Sequence, residues 1–469
     1  RVACATRSPS QRAVKVLLLN PPGTRTYIRD YFCSKTTKSN YLFHPIDLVV
    51  LSGTIVAQHE VQALDCIAEE LSPAEAEARI DAFGPQAIVS LVGSVSWPED
   101  TAFLAAQAAR GRRIAAIGDV LHEHSAQRLA ELPWLECALH DFASDDVLHW
   151  LAGDVARVVD ATVRHGEAIE ERRVGKKHGT FRVPTPRHEL FQRGHYRFSF
   201  ARHERFATVL TDYGCPYPCT FCVIGTLGFK TRSVEDALAE IDHVRSLGIR
   251  ELFFLDQTFG VVKQRGLELC RALETRGLSW TAFTRPDAAD DERLAAMKRA
   301  GCHTVIMGVE SADDSQLAEY RKGYKVQAVR DAFARARRHG LRTVGTFIIG
   351  LPAESPESLR ATLRLATELD MDFLSLNMAV PRFGTAFRAQ AVQLGLCDPN
   401  DLVMDQGGAD AFLPTTTLTR AEMLALKKDL VRKFYLRPGW LARRALDVRS
   451  PREFVRQLRE GWALLRQNV

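Results

Sequence analysis

No run of 18 apolar residues occurs anywhere in the 469-residue chain, so no single helix of it is expected to cross a bilayer. Nor is there a regular cysteine framework. Seven of the ten cysteines (Cys4, Cys33, Cys66, Cys137, Cys270, Cys302, Cys397) stand singly, which speaks against a disulfide scaffold and against a second metal cluster. Reduced thiols place the chain in the cytoplasm. Residues 1–13 are polar and basic without an apolar signal core, and read as a disordered tail. No recognition motif for nucleic acid accompanies the basic residues, so none is expected to bind. What remains is an ordinary globular composition, 46% hydrophobic and 25% charged, with length for two to three domains.

Three cysteines break the scatter, in Cys215-Pro216-Tyr217-Pro218-Cys219-Thr220-Phe221-Cys222. They follow an apolar strand-like run, Phe206 to Leu210. Pro216 and Pro218 forbid helix or ladder pairing between the first two thiols, so the stretch must be an open loop. Such a loop can wrap three thiolates around a [4Fe–4S] cluster, leaving one iron without a protein ligand and open to a small molecule. The alternative is three of four ligands of a structural zinc, but those sites come as paired C-x2-C halves and no second half is present.

Around the loop, strand–loop–helix units repeat six times over about 206–395. The strands are expected at 206–211, 251–255, 279–284, 304–309, 343–349 and 373–378. Helices lie between them, one opened by a Ser233-to-Asp236 capping box and another by Ser355. Repeated βα units give a parallel barrel or part of one, whose strand ends carry functional groups. Residues 14–155 also alternate strand and helix, with strands at 14–19, 60–66, 87–92, 113–117 and 134–139, and imply a doubly wound, Rossmann-like parallel sheet. Ligands of such sheets sit beyond the carboxyl ends of the strands, so Ser94, Ser96, Gly118 and Asp119 are candidate contacts. His122, His124 and His140 read as surface residues. Residues 156–205 read as a solvated linker with one hairpin. Residues 396–469 read as a helical extension. From Lys427 onward it carries twelve Lys or Arg against four Asp or Glu, with aromatics interleaved. It would pack on the barrel or lie peripherally on an anionic membrane face.

The C-x3-C-x2-C spacing, with Phe221 before the last cysteine, resembles the radical S-adenosylmethionine (radical SAM) superfamily. The resemblance implies a (β/α)6 partial TIM barrel holding a [4Fe–4S] cluster that binds S-adenosylmethionine (AdoMet) and cleaves it to a carbon radical. It extends to the strand ends. Asp256 would face the AdoMet amino group and Arg285 its carboxylate. Glu310 and Ser311 would take ribose hydroxyls or the ammonium, and Gly350 would lie by the adenine. Pro381 to Thr385 matches a P-x-x-G-T turn. A preceding Rossmann-like domain resembles the cobalamin-binding domain of the B12-dependent class, but Asp65-Cys66-Ile67-Ala68-Glu69 stands where a D-x-H-x-x-G would supply a cobalt ligand. The function implied is C-methylation at an unactivated carbon of a small or lipid-like substrate, with electrons from a flavodoxin or ferredoxin. Alternatives are radical cyclisation or ring rearrangement, a radical SAM enzyme whose first domain binds no cobalamin, and a non-catalytic metal-binding interaction protein.

Overall fold

The structure is a computed structural model, describing residues 13–32, 34, 41–175, 178–352, 354–402, 405, 413–447 and 461. Residues 1–12 of the expected tail and most of the basic end beyond Asp447 lie outside the described residues.

The first unit runs β1 (Lys15–Asn20), α1 (Ile46–Val56), β2 (Glu60–Asp65), α2 (Pro73–Phe83), β3 (Ala87–Leu91), α3 (Trp97–Ala108), β4 (Arg113–Ile117), α4 (Ser125–Glu131), β5 (Leu135–Leu139), α5 (Asp146–Leu151), β6 (Ala161–His165) and β7 (Ala168–Glu171). The sheet order is β2-β1-β3-β4-β5-β6-β7. The first five strands are parallel, and β6 and β7 add an antiparallel hairpin at the β5 edge. The sheet therefore continues past residue 155 into the expected linker. Strands such as β3, buried along their whole length, are near-continuous Ala, Ile, Val and Leu because helices cover both faces. Ser72 opens α2 with a complete capping box and a proline in its first turn, as its sequence indicates.

The second unit is built from β8 (His178–Phe181), β9 (Phe206–Val209), β10 (Asp212–Gly214), β11 (Phe229–Arg232), α6 (Val234–Ser246), β12 (Glu251–Phe254), α7 (Lys263–Leu273), β13 (Ser279–Thr284), α8 (Asp291–Arg299), β14 (Cys302–Glu310), α9 (Asp314–Glu319), α10 (Val326–Arg338), β15 (Arg342–Ile349), α11 (Pro356–Glu368), β16 (Phe373–Met378), α12 (Ala386–Gln393), α13 (Arg420–Tyr435) and α14 (Pro438–Asp447). Six parallel strands in the order β9-β12-β13-β14-β15-β16 form an open partial barrel. A small sheet, β10-β11-β8, sits beside it. The N-cap of α6 differs from expectation. Ser233 accepts from the Asp236 amide, but the Asp236 carboxylate accepts from Arg232 Nε (2.7 Å), so the return bond of a capping box is absent.

The outward barrel face packs against its helices around Trp280, Phe254, Phe333 and Phe434. The inward face, Phe206, Phe253, Ile306 and Val344, is filled from outside the barrel by Phe43, Tyr196, Phe198 and Phe200. Phe198 stacks on Phe253 at 4.2 Å and Phe200 meets Phe373 at 5.0 Å. The supposed linker thus packs on the core with half-buried aromatics, and burying part of rings of this size is favourable. The described part of the basic extension also packs. The Tyr435 hydroxyl both donates to Leu374 O and accepts from Leu374 N on β16, and Trp440 donates to Asp372 O. These contacts cover the free edge that an open barrel would expose. Among the described residues no helix is long and apolar enough to cross a membrane.

Candidate functional site

The cysteine loop is held as a clamp. Beyond β9 the chain reverses into β10, which pairs antiparallel with β11, so that Gly214 faces Phe229. Gly214 has φ +75°, and a Cβ there would lie 1.9 Å from Gly228 O. No other residue fits that entry. Cys215 N donates to Gly228 O (2.9 Å) and closes the loop's neck. Farther along, Thr220 N donates to Tyr320 O and Phe387 N to Thr220 O, tying the loop to the segment after α9 and to the first turn of α12. Cys215, Cys219 and Cys222 are half-buried. Burial, then the neighbouring thiols, push Cys222 up to about 12, and burial raises Cys215. Thiols so raised bind iron by giving up their protons. Among the described residues no three His, Cys, Asp or Glu side chains are drawn together as one ion's ligand set.

Two buried cations face this loop. Arg285, just after β13, sends Nη1 to Cys219 Sγ at 3.9 Å. Its guanidinium lies 3.5 Å from the Tyr217 ring centroid and 5.0 Å from that of Tyr324. Lys322, which the sequence reading passed over, is 6% exposed and pairs with Glu310 (3.1 Å). Its ammonium lies 5.5 Å from the Phe221 ring and 5.4 Å from the Tyr324 ring. Its charge is strongly favoured by Glu310, against the cost of burial. Glu310 ends β14 in the left-handed region, φ +64°, a strained backbone for a residue with a Cβ and one that concentrates at functional sites.

Other sequence candidates are engaged within the fold. Asp256 is fully buried. One oxygen accepts from the Thr211 and Asp212 amides (2.6 and 2.9 Å) and the other from the Thr211 hydroxyl (2.5 Å). It fastens β12 to the approach of the cysteine loop. Ser311 donates to Gln316 Oε1 (2.7 Å) and accepts from the Asp313 amide, which makes it part of the α9 turn. Gly350, φ +91°, donates its amide to Glu354 (2.6 Å). Burial pushes that carboxyl up to about 7.

At the carboxyl ends of the first sheet, Ser94 bonds Asp119 through both its amide (2.9 Å) and its hydroxyl (2.5 Å). Ser96 donates to Asp100 (2.7 Å) and accepts from Arg29 Nε (3.0 Å). Gly118 lies so close to Val92 that a Cβ would sit 1.7 Å from its carbonyl oxygen. These residues share the strand-end face that the switch-point rule selects. The face also holds Arg29, whose buried guanidinium pairs with Asp100 and bonds Asn20. His140 is a correction: it is 4% exposed and bonds Thr162 (3.0 Å). His122 is half-buried and reaches Thr226, next to the cysteine loop, at 2.9 Å. The Gly384 amide donates to Glu123 (2.9 Å), Lys230 pairs with Asp141 (2.5 Å), and Tyr213 donates to His140 O (3.3 Å). The strand ends of the first unit thus face the mouth of the barrel.

Residues 209–366 match the family model of the radical SAM superfamily. The chain carries a radical SAM domain. It is 28% identical to an uncharacterized methyltransferase of Pyrococcus horikoshii, over 91% of this chain and 94% of that protein. A hopanoid C-2 methylase of Rhodopseudomonas palustris is 24% identical, over 54% of this chain and 47% of the methylase. Among solved structures, the radical S-adenosylmethionine methyltransferase TsrM of Kitasatospora setae, with cobalamin and a [4Fe–4S] cluster bound, superposes with a TM-score of 0.63, at 17% identity, over 82% of this chain and 75% of TsrM. The cobalamin-dependent radical enzyme OxsB, with aqua-cobalamin and S-adenosylmethionine bound, gives 0.68 at 15% identity, over 96% and 72%. The radical SAM match begins at the last residue of β9 and runs into α11. The two-unit fold shared with TsrM and OxsB takes in the Rossmann-like sheet as well.

Proposed function

We propose that this chain is a cobalamin-dependent radical SAM enzyme and methylates an unactivated carbon of a small or lipid-like substrate. The observation that carries the reading is one juxtaposition. Three thiols, with no fourth protein ligand among the described residues, stand at the mouth of an open barrel, and the strand ends of a doubly wound domain close over that mouth. The alignment over nine-tenths of the chain with the uncharacterized methyltransferase of Pyrococcus horikoshii supports the same reaction class.

The residues present fit both groups. Three soft sulfur donors suit iron. The strand-end face around 92–96 and 118–121 is polar, with serine hydroxyls and carboxylates held in place by one another, and such a face would suit the amide edge of a macrocycle. Asp65-Cys66 at the end of β2 supplies no imidazole, so a corrin there would be held by its edges rather than through its metal. When bound, the cluster, AdoMet and cobalamin would supply a hydrogen-abstracting radical and a transferable methyl group. The chain's part is to position and to exclude water. Lys322 and Glu310 place a buried charge pair beside Cys219. The buried cluster of Tyr320, Leu351, Ala379, Phe387 and Leu413, with Phe221 and Ile348 against it, is core on which the cysteine loop packs.

Anaerobic reconstitution with iron, sulfide and hydroxocobalamin, then desalting and metal analysis, tests the reading. About four irons and one cobalt per chain, with a deuterated methyl group passing from labelled AdoMet to product, is the expected result. Iron without cobalt overturns the cobalamin assignment. Cobalt retained with AdoMet cleaved, but a cyclised product carrying no label, overturns methylation. A Cys219→Ala chain that still cleaves AdoMet overturns the cluster site.

A further inference from the structure

We propose that Arg285 does not clasp a substrate carboxylate but sets the reduction potential of the cluster held by Cys215, Cys219 and Cys222. The inference rests on the cluster reading above and deepens it.

The argument begins with what the guanidinium already does. A bidentate carboxylate partner needs two parallel N–H groups on one edge of the fork. In Arg285 that edge is taken: Nε donates to Asp287 Oδ1 (2.9 Å) and Nη2 to Asp287 Oδ2 (3.0 Å). Nη2 also donates to the Lys322 carbonyl. Nη1 is aimed at the sulfur of Cys219. The Tyr217 ring, inside the cysteine loop, lies along the guanidinium, and Tyr324 comes from the opposite chain segment. The side chain is 6% exposed. The result is a cation fixed from several sides, with the Nη1 amino group left for a cluster ligand and little water to screen it.

Hydrogen bonds to ligand sulfur and nearby net charge are among the determinants of iron–sulfur potentials. Reduction adds an electron to the cluster, so a fixed cation and N–H donor at Cys219 favour the reduced form and raise the potential. Asp287 orients the guanidinium and also opposes it, as a carboxylate on the far side, so the two residues carry opposite signs. Pro216 and Pro218 in the loop are exposed. The second buried cation beside the loop, Lys322, is paired with Glu310, and the amides that reach Cys215 and Cys222 come from the loop's own backbone.

The test is a redox titration of the reconstituted holoenzyme without AdoMet, followed by electron paramagnetic resonance, on Arg285→Met, Arg285→Lys and Asp287→Asn. Iron and sulfide are measured first on each. The expected result for Arg285→Met is about tenfold fewer reduced clusters at a fixed poise, a midpoint lower by about 59 mV for a one-electron couple. Arg285→Lys, which keeps the charge but not the fork, falls by less, and Asp287→Asn moves upward. AdoMet binding, measured separately by calorimetry, stays within about threefold of the parent in Arg285→Lys. An unchanged midpoint in both arginine variants overturns the proposal. So does a loss of AdoMet binding in Arg285→Lys with the midpoint unmoved, which would return Arg285 to carboxylate recognition. If the parent chain itself holds no iron, the cluster reading fails, an outcome that the metal analysis separates from failure of the tuning.

Discussion

Replacing Asp256 separates the two roles that its position allows. At the end of β12 it sits where a carboxylate could meet the ammonium of AdoMet, yet its oxygens are spent on the Thr211 amide, the Thr211 hydroxyl and the Asp212 amide. Asp256→Ala strands three buried donors, each costing about 1–3 kcal/mol. A relaxed total of about 3–6 kcal/mol is a large share of a domain's stability. Asp256→Asn keeps one oxygen for the two amides and turns an NH2 toward the Thr211 hydroxyl, which can rotate to accept. Its cost is expected to be about 1–2 kcal/mol. The neighbourhood tolerates loss of the charge, because burial raises Asp256 and pushes the adjacent Asp212 up to about 8, with Arg265 opposing. The assays are chemical denaturation of the chain and AdoMet binding to the reconstituted Asp256→Asn variant. Stability ordered parent, Asn, Ala, with AdoMet affinity within about threefold in the Asn variant, is the expected outcome. An Asn variant of parental stability that has lost tenfold or more in AdoMet affinity would refute the structural role and restore the ligand role.

Glu354 gives a pH dependence. Its carboxyl lies near 7 in the fold against 4.5 ordinarily, so between about pH 4.5 and 7 the native state keeps a proton that the unfolded chain has released, and stability falls as pH rises. The span corresponds to at most about 3 kcal/mol. Glu354→Gln should flatten that slope in denaturation curves taken across the window, and an unchanged slope would remove Glu354 as its source. Glu310→Gln leaves Lys322 as a buried unpaired charge and should cost about 3–5 kcal/mol, whereas the double change Glu310→Gln with Lys322→Met should recover much of it; additive losses would show that the pair is not coupled. Gly118→Ala drives a Cβ against the Val92 carbonyl, a backbone clash that no rotamer relieves. It should cost up to about 3 kcal/mol by overpacking and lower cobalt retention, while the iron content of the cysteine loop stays at the parental value.

The periodic elements were legible in the sequence. All six barrel strands lie within about two residues of their expected bounds, because βα units announce themselves by apolar runs between caps such as Ser233 and Ser355. The cysteine loop was legible for a different reason: prolines and thiols at that spacing leave the backbone few options. Contacts of single side chains were not. Ser94, Ser96 and Asp256 stand at the ligand-facing ends of their strands, but nothing in their spacing shows that Asp119, Asp100 and Thr211 take up their polar atoms. Lys322 was hidden in Arg321-Lys322-Gly323-Tyr324-Lys325, which reads as a solvated charge run. Only the fold shows that Arg321 and Lys325 are exposed while Lys322 turns inward to Glu310.

The misread linker has the most to say about how the enzyme is put together. Tyr196, Phe198 and Phe200 alternate in the sequence, a period-two aromatic signal that a search for βα units passes over because no strand of the barrel contains it. An open partial barrel of six strands cannot fill its own interior as a closed eight-stranded one does. The inward-facing Phe206, Phe253, Ile306 and Val344 therefore need partners from elsewhere, and the chain supplies them from the segment joining its two units. The same segment reaches back to the first sheet. Tyr196 donates to Asp65 at the end of β2 (3.0 Å), its ring stacks on His44 at 3.9 Å, and His44 in turn bonds Thr208 on β9 (3.3 Å). Core of one unit and strand end of the other are thus joined through two adjacent rings. Loss of the Tyr196 ring would loosen the barrel interior and the strand-end face together, so the relative placement of the two units is built into the packing of each. A reaction that needs a radical at one unit and a group held by the other within reach of the same carbon requires that kind of fixed separation.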